Sequence, residues 1–497
     1  MVISSESPRP QPDDESLLGQ LGYKQELARR MSGFSNFAIS LSIICILAGG
    51  ITSFQVGLCS AGGARIGLGW PLVCLFSLLV ALAMGQIASA FPTAGGLYHW
   101  GSVLGGRSCG WFTAWFNLTG LITVLAAVNA GTYDFAIAAF GLTPTPASAA
   151  VTRTVVIVGM TLSQGLLNHY GIRLTSKLTD LSGYLILIVA GALTISLVLA
   201  TKHFEWARLW TFTNYSGLPE GNPVFPRHTN LAWLFALGFL LPAYTITGFD
   251  ASAHTSEETI DAARNVPKGI IRSVWVSGLF GWIMICAILL ALPSVRAGVD
   301  QGADAVQWLI KQILPQWLAW TLLAGIVLSQ YLCGLAALTS SSRMTFAFAR
   351  DGGLPFSRAL RAVNPKTKSP AAAVWVAAVG SAAFTIFVPY TTIAAICTIL
   401  LYISYVLPIA AGFFAIGRSW KRIGPWHLGA WYRPLAALAT LGCIFLIVIG
   451  MQPPNQQAVW IIGGVFALML IVWFGLERKR FRGPPQAISA TAHGVPP

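Results

Sequence analysis

The sequence predicts an all-α, polytopic membrane protein of about twelve transmembrane helices. Three observations carry this. The 497 residues are 55% hydrophobic and only 10% charged, with a mean hydropathy of +0.67, whereas soluble domains hold roughly 25% charged residues. Twelve apolar runs reach spanning length, at residues 34–58, 69–90, 111–140, 151–168, 178–200, 231–252, 270–293, 316–347, 370–388, 392–416, 434–451 and 457–476. None alternates with the period of two that an outer-membrane barrel needs, so each can pair its own backbone in hydrocarbon only as a helix.

Taken in order, residues 1–30 are polar and Pro-rich, lack the apolar core of a cleavable signal and are expected to be a disordered cytoplasmic head. Residues 31–476 form one transmembrane domain, divided as 31–200, 231–416 and a final pair of helices at 434–476, and 477–497 are a cytoplasmic tail. The first run is interrupted by Gly49, Gly50, Ile51, Thr52 and Ser53, and the sixth by Thr247, Gly248 and Phe249. The third and eighth runs are long and are expected to tilt. If both termini face the cytoplasm, 24 of the 31 Lys and Arg lie inside. The other seven are Arg65, Arg153, Lys202, Arg208, Arg227, Arg296 and Lys311. This is the bias of the positive-inside rule, and it accounts for the net charge of +14 without nucleic acid as a partner. The partner implied is the lipid bilayer of a cell (plasma or inner) membrane, and no feature sets an oligomeric state.

Matching glycine-interrupted spans at corresponding positions of two halves point to a secondary transporter with inverted repeats. Unwinding a helix in a bilayer exposes groups that cost several kcal/mol each if unsatisfied, so a break persists where substrate, ion or water satisfies them. The restarted helix offers roughly half a positive charge to a carboxylate, and the facing carbonyls suit an ammonium group. The bland alternative is that the glycines serve only close helix packing.

Three acids fall within spans. Asp134 lies near an outer end, and Asp180 sits beside Arg173 and Lys177 as their structural ion partner. Asp250 lies two residues past Gly248, with His254 four residues on along the same helical face. The pair suits a proton or gating site, or Asp250 simply caps the inner half-helix. Glu257 and Glu258, ahead of Arg264, Lys268 and Arg272, read equally as an inner-gate ion-pair network or a solvated loop. The eight Cys form no metal spacing, the seven His do not cluster, and no nucleotide-binding or hydrolase motif occurs. An enzyme is therefore not expected, and no metal or cofactor is implied.

Four stretches in order add a resemblance. FSNFAISLSIICILAGGITSF resembles the first span of the amino acid/choline transporter branch of the amino acid–polyamine–organocation (APC) superfamily. FPTAGGLYHWGSVLGG resembles its re-entrant loop before the third span. GFDASAHTSEET with ARNVPKGI resembles the sixth span and its exit, and SSSRMTFAFARDGGLP the end of the eighth. The resemblance covers the chain from about Tyr23 to the twelfth span. It implies a five-plus-five inverted-repeat (LeuT-like) core plus two C-terminal helices, and secondary active transport by alternating access. The cargo implied is a small amino acid or 4-aminobutyrate (GABA)-like zwitterion, in an amino acid permease of the plasma membrane. On this resemblance Gly49, Gly50, Ile51, Thr52 and Ser53 line a carboxylate pocket, and Tyr244 is an aromatic gate. Thr245, Ile246, Thr247, Gly248 and Phe249 form the other wall, with Asn129, Tyr331 and Tyr402 as further candidates. A choline or polyamine carrier is the runner-up, with Tyr244, Phe249, Tyr331 and Tyr402 as an aromatic box. A non-cycling nutrient sensor ranks below both. The fifth span lacks the Lys that several relatives carry in place of sodium. The hydroxyls of Thr339, Ser340, Ser341 and Ser342 then either ligate sodium with first-span carbonyls or bond to their own helix. The coupling ion is H+ or Na+ on this reading.

Overall fold

The computed structural model describes residues 14–142, 144–145, 147–388 and 390–485. They are predominantly helical, and no β-strand occurs among them. Ten helices are long and apolar enough to cross a membrane: Gly33–Thr52, Arg65–Ala90, Leu97–Phe140, Ala149–His169, Ile172–Ala200, Ala262–Ala291, Gln316–Arg350, Tyr390–Ala415, Gly429–Gly450 and Gln456–Arg480. Two shorter apolar stretches, Leu231–Thr245 and Ala371–Phe387, take the sixth and ninth places. The twelve expected runs therefore each become a helix.

The third span runs along the tenth, the second along the seventh, and the first lies between the fifth and seventh. The stretch read as a re-entrant loop is helical from Leu97. It joins the third span across a kink at Gly106 (φ 86°, ψ 169°).

Both interrupted spans are broken, but the first not where the glycines stand. Its helix Gly33–Ile44 ends at Cys45 (φ 18°, ψ 87°), residues 45–48 are irregular, and Gly49–Thr52 is already a helical turn. A second interruption at Ser53 precedes Phe54–Ala61. The sixth span runs Leu231–Leu237 and Leu240–Thr245, breaks over residues 246–250 and resumes as Ala251–His254. Pro242 cannot donate a backbone hydrogen bond, which loosens the turn before this break.

The glycines instead mark where the two broken spans touch. A Cβ on Gly49 would lie 2.7 Å from Thr245 Cα, and one on Gly248 would lie 2.3 Å from Ile43 Cγ2. Gly248 also has φ +83°, a conformation L-residues enter only under strain. Close packing and helix breaking are thus one device here.

The head departs from expected disorder. Residues 1–13 and the tail beyond 485 lie outside the described residues, but Asp14–Gln20 is a helix, and Leu18, Leu21 and Leu27 are buried. This segment straps across the face where the described residues begin and end, Gly22 lying against Pro485. The Asp14 carboxylate accepts the N–H groups of Asp261 and Ala262 (2.7 and 2.9 Å), and Met31 pairs with Thr259. Arg29 Nη1 reaches the carbonyls of Ser256 and Thr259.

Replacing Gly248 with Ala combines overpacking with left-handed strain, each costing about 1–3 kcal/mol. The expected result is a detergent-solubilised protein that melts several degrees lower and loses transport. Gly191, which has open space around it, tolerates the same change.

Candidate functional site

The two breaks leave backbone groups unpaired in the middle of the bundle. In the first span the N–H groups of Gly49, Thr52 and Ser53 bond to Cys45, Ala48 and Gly49 carbonyls (3.1, 2.9 and 3.1 Å). Those of Ile46, Leu47, Gly50 and Ile51 make no backbone bond. Of the five residues expected to offer N–H groups, only Gly50 and Ile51 do so. The sixth-span half-helix Leu240–Thr245 ends beside them, and its Tyr244 and Thr245 carbonyls accept no backbone bond. Free donors at one helix start therefore lie against free acceptors at one helix end.

Above the breaks a cavity of about 550 Å³ opens on the face away from the chain ends. Thr52, Ser53, Tyr244, Tyr390 and Thr398 line it. Tyr390 lines it next to Tyr244, and its hydroxyl donates to Thr52 Oγ1 (2.9 Å). Tyr244, expected as an aromatic gate, thus lines this cavity together with Tyr390, which was not singled out in the sequence.

Below the sixth-span break Asp250 is fully buried, and its side chain makes no capping bond. It accepts from Asn117 Nδ2 (2.8 Å), the Tyr405 hydroxyl (2.8 Å) and His254 Nε2 (3.1 Å). The capping alternative is therefore set aside.

The amino acid permease family model matches residues 31–476. The amino-acid permease BAT1 of Arabidopsis thaliana is 33% identical, with 94% of this chain and 95% of that protein aligned. Its rice homologue is 32% identical over 94% of each chain. A GABA-specific permease of Saccharomyces cerevisiae is 29% identical over 96% of this chain and 86% of its own. This chain belongs to the amino acid permease family. It is a multi-pass membrane transporter of the APC superfamily with an amino acid substrate, and not an enzyme.

The permease is closed below by a double clamp. Glu258 pairs with Arg343 through two bonds (2.9 and 3.1 Å), and Glu257 with Arg350 through two of 2.9 Å. Both acids are fully buried, so the solvated-loop alternative fails. Their partners come from the eighth span, not from Arg264, Lys268 and Arg272 nearby in sequence. The strap seals the clamp. Gln25 and the Arg30 and Met31 N–H groups bond to Glu257 and Glu258 carbonyls, and Arg350 lies 3.9 Å over the Tyr23 ring. Tyr23 and Tyr98 both donate to Asp351 (2.7 and 2.9 Å), whose carboxyl burial pushes above its ordinary range.

Several other sequence candidates lie elsewhere. Thr339, Ser341 and Ser342 donate to carbonyls of their own helix, Thr339 also to Asn168 Oδ1, and the Ser340 hydroxyl is buried without a partner. The first-span carbonyls of Ile43 and Leu47 meet Cys333 and Gln330 instead. Asn129 bonds to Thr161 and Gln164, and Tyr331 to Ser163, both toward the fourth span. Tyr402 does reach the site, its hydroxyl 3.5 Å from the Ala243 carbonyl. Without Tyr331 the aromatic box lacks a wall. Asp180 accepts from Ser35 (3.1 Å) rather than pairing with Arg173 or Lys177, and Asp134 meets Arg153 at 3.5 Å.

Removing one partner of a buried ion pair costs about 3–5 kcal/mol. Glu258→Ala or Arg343→Ala alone should lower the melting temperature sharply. The double variant should recover much of the loss, which a double-mutant cycle on thermal unfolding measures. Simple additivity of the two losses would refute the clamp.

Proposed function

We propose that this permease carries a small zwitterionic amino acid or a 4-aminobutyrate-like substrate by alternating access, bound between the breaks of its first and sixth spans. One observation carries the reading: the first-span turn with the unpaired Gly50 and Ile51 N–H groups packs, through Gly49, on Thr245 at the end of the half-helix whose Tyr244 and Thr245 carbonyls are unpaired. The first set suits a carboxylate and the second an ammonium, so a zwitterion satisfies both at once. The GABA-specific yeast relative supports the same substrate class. The acid at Asp250 already has three internal donors, which speaks against a polyamine as cargo.

The face with both chain ends is the cytoplasmic one on the distribution of Lys and Arg. The cavity over Tyr390 then opens outward, in the plasma or inner membrane. On this reading the state is closed inside by the Glu–Arg clamp and outside only by the tyrosine pair. Tyr390 opens first for substrate to enter, and the clamp parts later for release.

Uptake into proteoliposomes tests this directly. Labelled 4-aminobutyrate or a small neutral amino acid should exchange against its unlabelled form, and choline and putrescine should not compete. Tyr390→Phe removes one hydrogen bond of ~1 kcal/mol and should change apparent affinity about fivefold. Competition by choline at equal concentration would sink the zwitterion reading.

A further inference from the structure

The second span opens on a charge that has no counterpart. Arg65 is its first residue, at the end away from the Glu–Arg clamp, and has no exposed surface. Its Nε, Nη1 and Nη2 are all buried without a hydrogen-bond acceptor among the described residues. Arg343 and Arg350 of the clamp, by contrast, each hold a carboxylate through two bonds. An arginine does not escape this cost by losing its proton.

What Arg65 has instead is aromatic. Its guanidinium carbon lies 4.0 Å from the centre of the Phe239 ring and 5.0 Å from that of Phe235. Ring faces attract the charge, but they are weak acceptors for the five N–H groups of the fork. A buried cation with unfilled donors is strongly penalised. An oxyanion that takes those donors removes the penalty, and the planar fork fits phosphate through two parallel bonds.

The rings also set where such an anion comes from. Phe235 packs on Phe212 (5.3 Å between ring centres) and Phe239 on Phe445 (6.0 Å), and Phe212 and Phe445 are exposed. The guanidinium therefore lies one aromatic layer beneath the surface of the bundle. The segment that covers the start of this span, with its Leu209 carbonyl against Gly67, carries exposed Trp206 and Trp210. Exposed tryptophans of this kind mark the level of lipid headgroups. Arg208 in the same segment is already taken by Glu205 and by the Leu292 and Pro293 carbonyls.

We propose that Arg65 binds the phosphate of a phospholipid headgroup, between the start of the second span and the first half of the sixth. The sixth span meets this site at its own weak point. Leu231–Leu237 and Leu240–Thr245 are separate helices, and Gly238 and Phe239 form the step between them. A Cβ on Gly238 would lie 2.5 Å from Arg65 Nε. The Phe235 and Phe239 rings turn aside to admit the phosphate, and the step lets them do so. A bound headgroup then ties the second span to the half-helix that ends at Tyr244 and Thr245.

Thermal unfolding and native mass spectrometry of the full-length protein in uncharged detergent test this. Short-chain phosphatidylglycerol should raise the melting temperature of wild type by several degrees and stay bound in the mass spectrum. Diacylglycerol with the same chains should do neither. Arg65→Met keeps an unbranched stem and removes the fork, so it should be no less stable without lipid. It should lose most of the lipid-dependent shift, with apparent affinity about tenfold lower. Arg65→Lys, a point charge without the fork, should fall between the two. A full shift and retained lipid in Arg65→Met overturn the site. Equal stabilisation of wild type by diacylglycerol overturns it too, and needs no variant to fold. An equal shift from inorganic phosphate overturns the lipid as the source.

Discussion

Everything in this permease is arranged around two helices that stop inside the bundle and lean on each other. Backbone groups in hydrocarbon must be paired, and here several are not. The stopped ends are affordable because they meet: Gly49 against Thr245, and Gly248 against Ile43. Donors and acceptors that no helix can satisfy are thereby gathered in one place, between continuous spans that keep lipid away. The long third and tenth spans form the frame on one side, supplying Asn117 and Tyr405 to steady the lower half of the sixth span.

The two faces are closed by different chemistry. On the face with the chain ends, two buried carboxylates each take a bidentate arginine, with the strap over them. On the other, the hydrogen bond from the Tyr390 hydroxyl to Thr52, with Tyr244 alongside, lies at the cavity wall. Neutral hydrogen bonds contribute about 1 kcal/mol each, whereas opening a buried ion pair strands charges. The molecule is therefore easiest to open from the cavity side.

The sequence displayed the number of helices, their order and the identity of the two broken ones, because spanning length and interruption are local properties. The position of the first break was not legible. Residues 45–48 read Cys-Ile-Leu-Ala, with no glycine or proline, and the nearby glycines answer to a neighbour two hundred residues away. The partners of Glu257 and Glu258 were hidden for the same reason. Arg350 and Arg343 stand 93 and 85 positions along the chain, while closer basic residues offered a false match. Tyr390, Tyr405 and Asn117 carry no signal in one sequence beyond being polar groups in apolar runs. The head looked disordered because its composition is polar, yet a few leucines and well-placed N–H acceptors tie residues 14–31 down.

That strap has a consequence for how the protein is made. Chains emerge from the ribosome N-terminus first, so residues 14–31 appear before the spans they bind. Tyr23 is then separated from its acceptor Asp351 by 328 positions, and the contacts of Asp14 and Gln25 wait on the sixth-span exit and the start of the seventh span. The strap is made before its partners and is one of the last pieces to dock. Until it does, the arginines of the clamp have no cover, and the half-built transporter has no sealed floor on that side.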